Sequence, residues 1–340
     1  MDVKALLHAH PEWLAHLESA DGPDLVLPAD PVPELLRLTV PHEDLGAVAG
    51  HQARAGQRQW WLAERCVRSL VSTMGSLDGP PFFQPLPELG PYFYVHVFLG
   101  AVPHTLAYHR ELGIAPEVSW ATLADLGRCM AVHRKRYGHG GLHAPFWLML
   151  HARGVLYALG RLQFNRDTLS ASVGEAVRAA GMPAGPGSPA LGVHIPDFLG
   201  PLAPAACDAS FALAREFFPR HFPGEQVRVM TCGSWLLDDQ LGAYLPDDSN
   251  ILALPAALPP AGTVRRRRHA GLRVRRARRR PGGAAPAHAA GAGHRRPPGR
   301  RRHLVRPPRL APLLIHPAEN LAGRPTWRPH VLDFGHAVRK

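Results

Sequence analysis

Apolar positions in the first 143 residues recur at three- and four-residue steps, the pattern of helices that bury one face. Trp60, Ala63, Val67, Leu70, Val71 and Met74 share such a face, and Gly75 follows as a stop. A second helix is predicted after Pro91 through Phe93, Val97 and Leu99, with Pro103 kinking or ending it. A third is predicted from Ser119 as N-cap, with Trp120, Leu123, Leu126 and Met130 on one side and the basic run His133 to Arg136 at its end. The Pro-rich text between the first two, DGPPFFQPLPELGP, reads as a loop.

Near residue 145 the pattern changes. PFWLMLHARGVLYALGRLQF is densely apolar and alternates at its end, with Leu162 and Phe164 opposite Arg161 and Gln163, as in a half-buried strand. After a Gly/Pro/Ala-rich stretch over 180–192 comes a short strand, LGVHIP, then the loop DFLGPLAP. A helix follows with Cys207, Phe211, Ala214, Phe217 and Phe218 on one face. The strand VRVMTC, a short helix from Leu236 to Tyr244 and a last strand beginning at Ile251 complete an α/β order.

Charge separates the chain into a body and a tail. The whole chain carries +12, yet residues 263–340 hold 21 Lys and Arg against only Glu319 and Asp333, so residues 1–262 are net acidic at −7. Basicity therefore says nothing about the partners of the body. Between Asp248 and Glu319 there is no carboxylate, and between Tyr244 and Trp327 no Phe, Trp or Tyr. Such text cannot bury enough apolar surface to offset chain entropy, so a disordered tail is expected. Two origins stand for it. It is either a polyarginine arm that binds phosphates or a stretch translated out of frame, since dropping one nucleotide from suitable codons for Ala270 to Arg276 and for Arg302 to Leu310 restores strand-like text.

Other bounds are narrower. No run of about 18 apolar residues occurs and the first residues lack the order of a signal peptide, so a soluble, cytoplasmic protein without membrane contact is expected. Cys66, Cys129, Cys207 and Cys232 are far apart with no CxxC, which reads as isolated buried thiols. His133, His139 and His143 are spaced by six and four with Gly140 and Gly141 between them, and read as a polar loop leaving a helix rather than a metal site.

Three phrases carry a resemblance: VHIPDFLGPLAPAACDASFALAREFFPRHFP, CGSWLLDDQLGAYLPDDSNI and LGRLQF. They resemble the bacterial acyltransferase family that joins a helical N-acyltransferase N-terminal domain to a GNAT-like C-terminal domain, over most of residues 1–258. The resemblance implies an α+β or α/β chain. A helical domain over 1–143 precedes a GNAT-like mixed sheet with flanking helices over 144–262, incomplete at its end, and a disordered tail over 263–340. It implies an acyl-CoA or acetyl-CoA co-substrate, no metal, and a small-molecule or peptide amine as acceptor, with nucleic acid not expected as a partner.

Residues are assigned by the same resemblance. In GNAT enzymes a Gly-rich loop at a helix N-terminus holds the coenzyme A pyrophosphate. The matching positions here are Gly200, Leu202 and Ala205, but Pro201 and Pro204 offer no N–H and the usual motif is missing. Tyr244, in the helix that matches the one after the fifth strand of GNAT relatives, corresponds to the acid that protonates the leaving thiolate, against a packing role at a helix end. His194 in VHIP suits the base that takes the amine proton, against a hydrogen-bonded structural histidine. Asp238 and Asp239 read as helix caps, Cys232 as a buried thiol, Trp147 and Trp235 as core, and Gln163 and Arg161 as strand residues whose facing is open. Two other classes remain: a non-catalytic binding module that keeps the fold, and nucleic-acid binding through the Arg-rich tail.

Overall fold

The computed structural model describes residues 3–50, 58–257 and 330–333. Its helical part runs α1 (Val3–Leu7), α2 (Pro11–Ser19), α3 (Val32–Arg37), α4 (His42–Gly50), α5 (Arg58–Ser72), α6 (Phe93–Glu111), α7 (Pro116–Leu123), α8 (Asp125–Tyr137) and α9 (Pro145–Ala152). The sheet part runs β1 (Leu156–Leu159), β2 (Leu162–Thr168), α10 (Ala171–Ala179), β3 (Pro189–His194), α11 (Pro204–His221), β4 (Val229–Cys232), α12 (Asn250–Ala257) and β5 (His330–Asp333). Among the described residues no helix is long and apolar enough to cross a membrane.

Burial, more than local propensity, sets the helical part. Phe93 to Val102 in α6 are all buried, and the helix continues through Pro103 to Glu111, so the proline does not end it. The third predicted helix begins earlier than Ser119, because Pro116 occupies the first turn where its missing N–H costs nothing. Ser119 is instead buried inside α7 and hydrogen-bonds His109 Nδ1 at 3.0 Å. A break at Ala124 then separates α7 from α8. Helix α9, read from sequence as part of the second domain, packs Leu148, Met149 and Ala152 into the helical core with Leu62, Val67, Leu70, Val97 and Met130.

The sheet has the order β1-β2-β3-β4-β5. Pairing is antiparallel for β1–β2, β2–β3 and β4–β5 and parallel for β3–β4. Gly160, at φ +70, turns the β1–β2 hairpin, and its tip docks on α11 where Ser210 Oγ accepts from the N–H groups of Arg161 (2.8 Å) and Leu162 (3.2 Å). One face of the sheet presents Phe164, Leu191, Val193 and Met230 to Phe211, Phe217 and Phe218 of α11, as the aromatic stripe of that helix required. The parallel pairing of β3 with β4 ends at Gly192 opposite Thr231, so Val193 and His194 continue beside β2 alone. Past Gly192 the end of β3 therefore has no pairing with β4.

Several expectations are corrected here. Gln163 is 1 % exposed, so β2 is covered on both faces rather than half-buried, because α8 and α9 lie over its second face. The stretch at Ile251 is helix α12 and not a strand; Ser249 caps it through Oγ to Ile251 N–H (3.3 Å), and Leu- and Ala-rich text favours helix. The single helix expected from Leu236 to Tyr244 is two 3₁₀ turns, Trp235–Leu237 and Asp239–Ala243, the second capped by Asp238. Helix α10 was not anticipated. Most of the Arg-rich segment lies outside the described residues, but residues 330–333 form an edge strand on β4 where the sequence suggested no structure.

Candidate active site

The second face of the sheet is polar where a core would be apolar. Alternation along β2 and β3 puts Gln163, Asn165, Gly192 and His194 on this face, with Gln163 opposite His194 and Asn165 opposite Gly192. Helices α8 and α9 close over it with Asp125, Arg128, Cys129, Trp147 and His151. The polar groups of that cover converge on one buried carboxylate.

Asp125 is 1 % exposed at the first position of α8. Its Oδ1 accepts from Gln163 Nε2 at 2.8 Å, its Oδ2 accepts from Trp147 Nε1 at 2.9 Å and from Cys129 Sγ at 3.5 Å, and Arg128 pairs with it in charge. Around this buried carboxylate, donors from two helices and a strand take the place of water. His151 lies 3.3 Å from Asp125 Oδ2, but burial, with Arg128 next in effect, pushes its pKa down to about 3, so the contact is not an ion pair. Its Nδ1–H donates to the Trp147 carbonyl (3.2 Å), leaving Nε2 to accept from Gln163 Nε2 at 3.3 Å.

His194 stands at the end of β3 beside this network. Its Nε2 is 2.7 Å from Asn165 Oδ1, and the Trp147 ring meets it edge-on at 4.7 Å and 74°. Burial, and then His151, push its pKa down to about 4, so the ring is neutral near pH 7. A neutral imidazole has a lone pair that can accept a proton, although burial weakens it as a base.

The remaining sequence candidates fall in two places. Gly200, Leu202 and Ala205 share the loop and first turn leading from β3 into α11: Gly200 at φ +78, Leu202 buried in the sheet core, Ala205 exposed. Arg161 holds that loop, donating from Nε to the carbonyls of Gly200 (3.1 Å) and Pro201 (3.3 Å) and from Nη1 to that of Pro196 (3.0 Å). No side chain caps α11, and Pro204 fills its first turn. The N-terminus of α11 thus has no side-chain cap, and with Pro204 in its first turn and the Ala206 and Cys207 N–H groups donating to the Ala203 carbonyl it offers fewer amide donors than a Gly-rich loop. Tyr244 is 64 % exposed at the end of the second 3₁₀ turn, and no hydrogen bond or ring contact joins it to His194.

Three other readings are settled by placement. Cys232 is buried and its thiol is pushed up to about 12 by that burial, which removes it as a nucleophile near neutral pH. Trp147 is not only core, since its N–H serves Asp125 and its edge serves His194. His133 is buried rather than on a polar loop, with ring centres 5.2 Å from His139 and 5.4 Å from His143, and burial followed by those two neighbours lowers its pKa to about 4. Among the described residues no three His, Cys, Asp or Glu side chains are set to hold a metal ion.

Sequence reasoning passed over Asn165, Asp125 and His151. The signal for Asn165 was present: Gln163 and Asn165 alternate with Leu162 and Phe164, so one strand carries an aliphatic–aromatic face and an amide face. Asp125 and His151 had no such signal, because their partners lie 38 and 12 residues away.

Comparisons agree with this arrangement. Residues 30–154 match the N-acyltransferase N-terminal domain and residues 156–287 the GNAT-like C-terminal domain. Among solved structures, an acyltransferase mutant in complex with octanoyl-CoA is 36% identical, with 75% of this chain and 80% of that one covered at a TM-score of 0.66. An acyltransferase in complex with decanoyl-CoA and teicoplanin is 36% identical over the same shares at 0.64, and one in complex with CoA and 10C-teicoplanin is 36% identical at 0.65. No curated protein matches the sequence. With a helical first half, a mixed GNAT-like sheet, and 36% identity across most of a solved acyltransferase, this chain belongs to the N-acyltransferase family with a GNAT-like C-terminal domain.

Proposed function

We propose that the protein transfers an acyl group from a medium-chain acyl-CoA to an amine on a small-molecule acceptor of the teicoplanin kind, with His194 as the base. The observation that carries this reading is the neutral His194, held by Asn165 at the end of β3 where the pairing with β4 stops. The related structures with octanoyl-CoA, decanoyl-CoA and teicoplanin supply the substrate classes. The acceptor amine nitrogen attacks the thioester carbonyl carbon, the C–S bond breaks as the amide forms, and the amine proton passes to His194 Nδ1. The thiolate leaves with its electron pair and is protonated in turn. Tyr244 is the proton donor that the family resemblance proposes for that last step. Gly200, Leu202 and Ala205 are proposed to lie along the pyrophosphate, with the uncapped N-terminus of α11 favouring its charge.

The test is incubation of the protein with octanoyl-CoA and teicoplanin, reading thiol release and the mass gain of the acceptor. His194→Ala is expected to lower kcat by about 10²–10⁴-fold with the melting temperature kept, the range for a general base. A His194→Ala protein as active as wild type would remove the assignment. Tyr244→Phe that leaves kcat unchanged would remove Tyr244. The donor-poor loop at Pro201 and Pro204 favours one other reading, an acyl-CoA-binding module without transfer. Binding of octanoyl-CoA with no thiol release from any amine would establish it. The out-of-frame origin of the Arg-rich segment is also proposed, and resequencing the gene across the codons for residues 255–265 checks it. An intact frame would restore the phosphate-binding arm.

A further inference from the structure

Asn165 is the side chain on which the state of His194 turns. Its Nδ2 donates to the Arg166 carbonyl at 3.1 Å, which fixes the amide's orientation, since the flipped amide would set two oxygens against each other. The group facing His194 Nε2 at 2.7 Å is therefore Oδ1, which can only accept. Nε2 must then carry the hydrogen. A neutral imidazole has one N–H, so the lone pair is on Nδ1, which has no hydrogen-bond partner among the described residues.

The backbone makes room for this contact. Gly192 on β3 is the cross-strand partner of Asn165, and a Cβ there would lie 2.0 Å from Asn165 Oδ1. With a hydrogen in that place, the amide reaches diagonally across the strand pair to His194. On the other side Trp147 packs against the imidazole in a T-shaped contact and is itself pinned by Asp125, which opposes a ring flip that would put a carbon in place of each nitrogen and break the contact of Nε2 with Asn165. The titratable group acting on the ring is His151 on α9, and Asp125 and Arg128 on α8 lie behind Trp147, with Asp197 of the loop after β3 near Arg128.

We propose that Asn165, admitted by Gly192, is a positioning residue that locks His194 as its Nε2–H tautomer and leaves Nδ1 as the proton acceptor of the transfer reaction. The proposal rests on the reading of His194 as the base. A neutral amide suits that task, because it fixes the tautomer without the extra basicity that a carboxylate would confer, so the accepted proton can be passed on.

The test is long-range ¹H–¹⁵N correlation on the full chain labelled in histidine, with His194 identified by difference against His194→Gln. At neutral pH the wild type is expected to show His194 as Nε2–H. Asn165→Leu is expected to give a mixture or the Nδ1–H form, and Asn165→Asp to keep Nε2–H and move the titration of His194 upward. Gly192→Ala, which displaces the amide without altering it, serves where Asn165→Leu fails to fold and should show the same loss. In transfer from octanoyl-CoA to teicoplanin, Asn165→Leu should lower kcat by about 10²-fold with KM for octanoyl-CoA kept, as for a misplaced catalytic group. Asn165→Asp should recover part of kcat with the acid limb of its pH profile shifted up. A wild-type Nδ1–H form or mixture, a tautomer indifferent to Asn165→Leu, or full kcat in that variant overturns the proposal. If wild type transfers nothing, the acyltransferase reading fails while the tautomer measurement still decides this one.

Discussion

The two faces of one short sheet do different work. On the α11 face, Phe164, Leu191 and Val193 meet Phe211 and Phe218 in an apolar core that any residues of similar volume would serve. One position further along the same strands, Gln163, Asn165 and His194 meet Asp125, Trp147 and His151 in a buried polar network where each donor has a particular acceptor. Since side chains alternate with period 2, a strand can carry stability on odd positions and chemistry on even ones, or the reverse. The polar face costs desolvation, which the donors gathered on Asp125 offset in part, while Gln163 Oε1 is buried without a hydrogen-bond partner.

That contrast can be broken from either side. Phe164→Ala is expected to destabilise the fold by about 3–5 kcal/mol, the range for a fully buried aromatic, with activity per folded molecule kept; chemical denaturation with kinetics on the folded fraction checks it. Asp125→Ala leaves Arg128, Gln163 and Trp147 without their shared acceptor, and about 3–5 kcal/mol is expected, as for a broken buried pair. Unlike the first change it should also lower kcat, through Trp147 and His194, in the same assay. Gln163→Leu removes donors to Asp125 and His151 while keeping the volume, and about 1–3 kcal/mol should follow. A loss in melting temperature equal to that of Phe164→Ala would show that the polar face is no different in kind.

Acid should also strain the polar face, on top of the loss that His109 and His133, likewise lowered to about 4, contribute elsewhere. His151 and His194 sit near about 3 and about 4 in the folded protein against 6.5 for an ordinary histidine, so the unfolded chain binds more protons between those values. Stability is then full above pH 6.5 and lost progressively as pH falls towards 4. Melting temperature should fall on that side, and His151→Gln should flatten the fall. Ser210→Ala is the smallest of these changes, about 1 kcal/mol, for the hairpin tip that loses its acceptor on α11.

Legibility followed the range of the interactions. The aromatic stripe of α11 and the apolar face of α5 were readable because helical period and burial coincide. The start of α7 was misplaced because Ser119, a good cap residue, is claimed by His109 from another helix. Residues at Ile251 were read as a strand because a short apolar run fits either element, and Ser249 decided for helix. His194 was legible as a candidate, being a histidine at a strand end. Its partner Asn165 was not, since a diagonal contact depends on which residue of the neighbouring strand is opposite, here Gly192.

By itself the sequence determined the element types over most of the chain, the split into a helical and a sheet part, the charge asymmetry of the Arg-rich segment and, through its phrases, the family. Those features are local or compositional, and the chain carries them whatever it packs against. Only the tertiary structure decided that α8 and α9 roof the sheet, that Asp125 gathers donors from α8, α9 and β2, and that His194 Nε2 meets Asn165 Oδ1. Protonation and tautomer are set by the groups a few ångströms away, and which groups those are is fixed by register and burial rather than by the order of residues.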